Sequence, residues 1–401
     1  MKAISFRIIS LFFMSALVFT YGQNRYESEI FSSYQLQSNI QFGRSTAVSG
    51  SVMDLMQDIY TGTGDTVKNR PLIIFIHGGG FKDGDKISSF GTLLCGGFAK
   101  RGYVVASINY RLGTTNTLET DYEAMLRAVQ DGKAAVRFFR RYSALYGIDT
   151  SQIFVTGSSA GSITALHMAY LRQNEIPSYV NLAGLGGTLE GTSGNAGFSS
   201  EVQGVISNWG ALVDYHYMKA GDVPVFCVHG LSDVTVPCDS SFADGPFQYG
   251  SIIINNYANT LGVKTGIRLF DNTGHTLDNN TSKQDSAYND MSAWLYTLLK
   301  QTTGIKSQGG LINPDSPILK QNYPNPFNPT TTLEYQISKP GFVQLYIYDS
   351  LGRIVDHVVN QYQNAGSFKL SFNGSSLSSG IYYAQLSSSS NNVTQKMILL
   401  K

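Results

Sequence analysis

A chain of 401 residues, 42% hydrophobic and only 14% charged, is too long for one typical domain and apolar enough for a large core. Its 29 basic and 28 acidic side chains leave a net charge of +1, which excludes nucleic acid and an electrostatically held membrane surface as partners. Three cysteines, Cys95, Cys227 and Cys238, cannot build a disulfide framework, although export would permit one bridge between Cys227 and Cys238.

The chain starts with an address. Lys2 and Arg7 lead into "IISLFFMSALVF", an apolar run of about a dozen residues, the length of a signal-peptide core and too short for a membrane span. Residues 1–22 read as that peptide, with cleavage after Gly22. No later stretch is long and apolar enough to cross a bilayer, so no span is expected in the mature chain. From about Asp54 strands and helices alternate. "PLIIFIHGGG" and "GYVVASINYRLG" read as strands. In "DYEAMLRAVQDGKAAVRFFRRYSALYG" the residues Met125, Val129, Val136 and Phe139 share one helical face, with Arg and Lys opposite. "SQIFVTG" is a strand and "SITALHMAYL" a helix. "VQGVISNWGAL", "VPVFCVHG" and "TGIRLFDNTGH" are further strands, and "AYNDMSAWLYTLLK" is a closing helix. This alternation predicts an α/β class: a mostly parallel sheet covered by helices on both faces, with chemistry at the carboxyl ends of its strands. The polar loop Gly184–Ser200 is long enough to suggest that it lines the mouth of the site.

The predicted domains are a catalytic domain over 23–303, a linker over 304–320 and a last domain over 321–401. Pro324, Pro326 and Pro329 favour an extended entry to that last domain. "GFVQLYIYDSLGRIV" alternates and turns at Leu351 and Gly352; "GSFKLSFNG", "GIYYAQLSSSS" and "VTQKMILLK" follow as short strands. Regular short strands with turn signals predict a small C-terminal β-sandwich.

Four glycine-rich strand ends carry the chemistry. Gly157-x-Ser159-x-Gly161 lies between a strand and a helix, and its frame makes Ser159, not Ser158, the nucleophile. Ala160 then opens a helix whose N–H faces a developing oxyanion. "HGGGF" follows the strand "LIIFI", and Gly79 and Gly80 are the candidate donors beside Ala160, with His77 holding the loop. Asp233 follows the strand "VPVFCVHG" as candidate acid, with Asp239 in the same loop as runner-up. Of the six histidines, His275 alone has both a loop position after a strand and a place after the acid. His167 falls on the helix after Ser159, His216 in a polar loop and His357 in the last domain. The order Ser159, Asp233, His275 is that of nucleophile-elbow hydrolases. Asp83 and Asp85 read as solvated turn carboxylates, too few for calcium.

On these four motifs, together with "SINYRLG" and "VQDGKAAVRFF", the stretch from about Asp54 to Lys300 resembles an α/β-hydrolase of the carboxylesterase type with an HGGG oxyanion loop. The resemblance implies attack by Ser159, proton transfer by His275, support by Asp233 and an oxyanion hole of Gly79, Gly80 and Ala160, with no metal or cofactor. "QNYPNPFNPTT", "VQLYIYDSLGRIV", "GIYYAQL" and "ILLK" resemble the C-terminal sorting domain of type 9 secretion. That second likeness implies the secretion machinery as a partner, passage across both membranes of a Gram-negative cell, and a secreted or surface-attached product. The implied function is a secreted serine carboxylic-ester hydrolase acting on short-acyl or aromatic (acetyl or feruloyl) esters, with polymers outside the cell as substrates. A lipase or serine peptidase on the same fold, and a non-catalytic surface-binding protein, are the alternatives.

Overall fold

The computed structural model describes residues 25–115, 117–241, 248–277, 280–302, 317–337, 341–349, 353–388 and 391–401. The signal peptide at 1–22, the 304–316 part of the linker and the turn at Leu351 and Gly352 lie outside them. The chain divides into two units, Met1–Thr297 and Leu298–Lys401.

The first unit is built on an eight-stranded sheet. Its elements in chain order are β1 (Tyr34–Thr46), β2 (Val52–Gly62), β3 (Arg70–Ile76), α1 (Ser89–Lys100), β4 (Val104–Ile108), α2 (Leu118–Arg141), α3 (Ser143–Tyr146), β5 (Ile148–Ser158) and α4 (Ala160–Tyr170). There follow β6 (Val205–Asn208), β7 (Val225–Gly230), the short pair β8 (Ser240–Ser241) and β9 (Gln248–Tyr249), α5 (Ser251–Thr260), β10 (Thr265–Phe270) and α6 (Thr281–Thr302). The sheet runs β1-β2-β4-β3-β5-β6-β7-β10. β1 and β2 are antiparallel, as are β2 and β4; from β4 onward every pairing is parallel. β3 lies in the middle, and all of its residues are buried. A parallel strand covered on both faces has no side for polar residues, which is why "LIIFI" is an unbroken apolar run. Successive side chains point to opposite faces. Phe75 meets Phe90 of α1 with ring centroids 6.2 Å apart. A Cβ built on Gly132 of α2 would touch both Met168 of α4 and Ile76. Thus α1 covers one face of β3, and α2 with α4 the other.

Several elements depart from the sequence expectation. β1 lies before, and β2 across, the expected start of the alternation near Asp54; β1 alternates at Tyr34, Leu36, Ile40 and Phe42, but of these only Phe42 is buried. α1 carries Gly91, Gly96 and Gly97, poor helix formers that packing overrides: a Cβ at Gly91 would collide with Phe75. β6 stops at Asn208 because Trp209 takes φ 45. The cationic side of α2 is not solvated. Arg127, Lys133 and Arg137 are buried; Arg127 donates to Gly113 O, and the loop Gly184–Ser200 lies over Lys133 and Arg137. Gln130 donates to the carbonyls of Leu185 and Thr188, Lys133 and Arg137 bind Glu190 (both 2.9 Å), and Arg140 donates to Ser199 O. Asn195 donates to Phe42 O of β1. The hydrogen bonds described for this loop run mostly to α2 and β1, with Arg111 and Gln173 as further partners, and none reaches the 77–81 loop, Ser159 or His275. Cys95, Cys227 and Cys238 are free, buried thiols, so no Cys227–Cys238 bridge is formed.

In the second unit, β11 (Ile318–Leu319), β12 (Thr330–Ile337) and β15 (Gly366–Asn373) form one antiparallel sheet. β14 (Ile354–Gln363), β13 (Gly341–Asp349), β16 (Gly380–Ser388) and β17 (Asn391–Leu399) form another. Leu333 and Ile337 from the first meet Val343, Leu345, Ile347, Leu386 and Leu399 from the second in one core. Burial alternates along β12 and β13, as expected of strands with one face inward in a β-sandwich. Among the described residues no helix is long and apolar enough to cross a membrane.

Candidate active site

β5 passes into α4 through one residue, Ser159, at φ 53 and ψ −123. An L-residue rarely adopts such a backbone, and the neighbouring structure holds it there. Ser159 N–H donates to Asn208 O of β6 (3.0 Å), and Ser162 Oγ donates to Gly157 O (2.6 Å). Asn208 Nδ2 also donates to Gly157 O, at 2.7 Å. The glycines on either side are steric necessities. A Cβ on Gly157 would lie 2.3 Å from Gly161 C, and one on Gly161 would lie 2.0 Å from Ile76 O. Ser158 is buried, whereas Ser159 is half-buried at the turn.

The loop after β3 lies against this turn. A Cβ on Gly78 would sit 2.9 Å from Ser158 O and 3.2 Å from Ser159 Cβ. Gly79 and Gly80 follow at φ 111 and 59, and Gly79 O accepts Lys82 N–H at 3.0 Å. The N–H groups of Gly79 and Gly80 make no turn or loop hydrogen bond among the described residues. Ala160 N–H, at the first position of α4, has no partner in the helix either. His77 is buried, stacks on Tyr110 at 4.4 Å and lies with Nδ1 2.7 Å from Gly78 O; burial holds its pKa below the usual value. Tyr110 Oη donates to His77 O at 3.0 Å. These contacts shape the loop from behind. Asp85 accepts from Ile87 N–H within its own turn and from Asn109 Nδ2 just after β4.

The other two candidates meet from adjacent strands. A Cβ at Gly230, the end of β7, would lie 2.3 Å from Thr273 O, so only glycine lets the loop after β10 come so close. Leu231 N–H donates to Phe270 O and Ser232 N–H to Thr273 O, binding the two loops together. His275 Nδ1 is 2.8 Å from Asp233 Oδ2, and His275 Nε2 is 2.8 Å from Ser159 Oγ. Asp233 is fully buried at its side chain, and its Oδ1 accepts Thr235 N–H and Val236 N–H. Burial alone would raise its pKa. Hydrogen bonds from His229, His275 and Val236 N–H outweigh that and hold the carboxyl far below the usual carboxylate range. Asp239 is exposed and stays out of this chain of contacts.

The remaining histidines lie elsewhere. His167 is buried with Nδ1 2.7 Å from Ile163 O, its pKa lowered to about 4 by burial. His216 pairs with Asp214 at 2.8 Å and His357 packs edge-on to Tyr346. Sequence reasoning passed over Asn208, Ser162 and His229. Asn208 and Ser162 act on the turn through backbone atoms that no motif encodes. His229 lies four residues before Asp233, a spacing that was the available signal.

Comparison with known proteins agrees with this architecture. Residues 57–215 match the family model BD-FAE, and residues 321–400 match the secretion system C-terminal sorting domain. Isoprenylcysteine alpha-carbonyl methylesterase ICME of Arabidopsis thaliana is 26% identical over 208 residues, 43% of this chain and 44% of that protein. Neuroligin-like protein glit-1 of Caenorhabditis elegans is 34% identical over 100 residues, 24% of this chain and 13% of that protein. The chain thus spans less than half of these relatives' lengths. A thermophilic esterase of Thermogutta terrifontis with propionate bound aligns at TM-score 0.49 and 20% identity, covering 69% of this chain and 96% of that one. Residues 57–215 are therefore similar to the BD-FAE family within an α/β-hydrolase domain, and residues 321–400 match a secretion system C-terminal sorting domain, a mark for export.

Proposed function

We propose that the protein is an exported serine carboxylic-ester hydrolase. One observation carries this reading: Ser159, His275 and Asp233 form a continuous relay with both links at 2.8 Å, and Ser159 is held at a strained strand-to-helix turn. Ser159 Oγ attacks the ester carbonyl carbon while its proton passes to His275 Nε2. The carbonyl oxygen becomes an oxyanion facing the N–H groups of Ala160, Gly79 and Gly80, and the dipole of α4 favours that charge. His275 returns the proton to the departing alkoxide, the alcohol leaves, and Ser159 carries the acyl group. Water then attacks the acyl-enzyme, giving its proton to His275, which passes it to Ser159 Oγ as the acyl–oxygen bond breaks and the acid leaves. Asp233 holds the Nδ1–H tautomer of His275 and balances the imidazolium that forms twice per turnover.

Export supports substrates outside the cell, and short-acyl or feruloyl esters of polymers suit an accessible serine. In this reading 1–22 is the signal peptide, 23–303 the catalytic part and 321–401 the tail handed to type 9 secretion in a Gram-negative cell. The apolar lid of a lipase has no counterpart in Gly184–Ser200, a polar loop tied down on α2. The test is hydrolysis of p-nitrophenyl esters of rising acyl length and of methyl ferulate by the full-length protein beside Ser159→Ala. Serine-dependent turnover is the expected result. A folded protein inactive on the whole panel would overturn the proposal.

A further inference from the structure

We infer that His229 is a positioning residue for Asp233 and, through it, sets the aim of His275. This rests on the ester-hydrolase reading above. His229 is the penultimate residue of β7 and fully buried. Its Nε2 lies 2.7 Å from Val236 O and 3.2 Å from Asp233 Oδ2; its Nδ1 lies 2.7 Å from Ser251 Oγ at the start of α5. The Val236 carbonyl only accepts, so Nε2 carries its proton, and the Ser251 hydroxyl is placed to donate to Nδ1. One ring N–H therefore closes the 233–236 turn and leans on the carboxylate of Asp233.

The consequence is a carboxylate with every direction occupied. Oδ1 takes two backbone N–H groups and Oδ2 takes two imidazole N–H groups, one from His229 and one from His275. Without His229, Oδ2 would be held only by His275, the group it has to orient. Val236 O and Ser251 Oγ would each lose a buried partner as well. Among the described residues His229 makes no hydrogen bond to Ser159, so its effect on chemistry runs through Asp233. Second partners of this kind in metal sites change function by about 10–100-fold when removed, because the ligand they orient becomes mobile.

The experiment compares full-length wild type, His229→Leu, His229→Gln and Ser251→Ala. Gln places an amide N–H near the position of ring Nε2, whereas Leu fills the space without a donor. Active sites are counted by stoichiometric release of p-nitrophenol from diethyl p-nitrophenyl phosphate. Then kcat and KM per counted site are measured with p-nitrophenyl acetate. The downfield proton resonance of His275 Nδ1–H is recorded in the same samples. His229→Leu is expected to lower kcat about 10–100-fold with KM nearly unchanged, and to shift or broaden that resonance. His229→Gln is expected to recover most of the loss, which a merely space-filling role would not give. Ser251→Ala leaves the ring in place but frees Nδ1; a kcat reduced about threefold or more, with the resonance moved, keeps the inference testable if the Leu variant does not fold. An unchanged kcat per site and an unchanged resonance in Ser251→Ala and any folded Leu variant would overturn it. Absence of serine-dependent turnover in wild type would instead overturn the ester-hydrolase reading, and the resonance would still report on His229.

Discussion

Gly161→Ala tests the geometry on which Ser159 depends. The added methyl would lie 2.0 Å from Ile76 O and 2.5 Å from His77 O, both backbone atoms of a buried strand end. Carbon and oxygen approach comfortably at about 3.3 Å, so α4 has to withdraw from β3 by roughly 1.3 Å. Overpacking of this kind costs about 1–3 kcal/mol, and here no flexible side chain can yield. Ser159 is the residue just before α4, so its Oγ moves away from His275 Nε2. A displacement near 1 Å lowers turnover about 10²-fold. The assay pairs a urea unfolding midpoint with kcat/KM on p-nitrophenyl acetate. Gly274→Ala is the control: a Cβ there meets nothing within 4 Å, so its stability should change by less than about 0.5 kcal/mol. Should Gly161→Ala match wild type in both stability and turnover, the steric account of the turn is wrong.

Three further outcomes follow from the same contacts. Ser159→Ala should abolish turnover while Ser158→Ala stays within a few-fold of wild type; steady-state rates on one ester decide it. Asp233→Asn should reduce kcat about 10⁴-fold by presenting the wrong partner to His275 Nδ1. Because the folded carboxyl of Asp233 is held far below its unfolded value of about 3.9, its contribution to stability is present above that pH and lost as pH falls further. The gap in urea midpoint between wild type and Asp233→Asn should therefore narrow from pH 7 to pH 3. Glu190→Ala removes the shared partner of Lys133 and Arg137 and should cost about 1–3 kcal/mol, with faster protease cutting inside 184–200.

How far the sequence speaks depends on where each residue's partners lie. Ser159, Asp233 and His275 stand out because each follows a strand and a glycine, and glycine marks the places where backbone meets backbone. Gly157, Gly161 and Gly230 show this directly, each facing main-chain atoms across a gap with no room for a methyl. β3 and β5 announce themselves by continuous apolar runs. β1 is weaker, since Tyr34, Leu36, Ile40 and Phe42 alternate but only Phe42 is buried, and its pairing with β2 is set by main-chain bonds. The cations of α2 read as a solvated face, and Lys133 and Arg137 are covered because Gly184–Ser200 returns from far along the chain to lie on them. His229 reads as the end of a buried strand; its meaning depends on Ser251 and Val236, whose approach no local pattern encodes.

The relay has a temporal consequence. Ser159 and His275 are 116 residues apart in the chain, and the backbone of Ser159 is pinned by Asn208 on the next strand. No fragment ending before β10 contains His275, and Ser159 N–H gains its Asn208 partner only when β6 lies beside β5. Long-range strand pairing of this type forms late and cooperatively. Under the proposed chemistry the chain is inert while it is being made and while it is unfolded, and hydrolysis begins only when the last parallel strand has docked. An enzyme destined for export thereby has its onset tied to the completion of its own sheet.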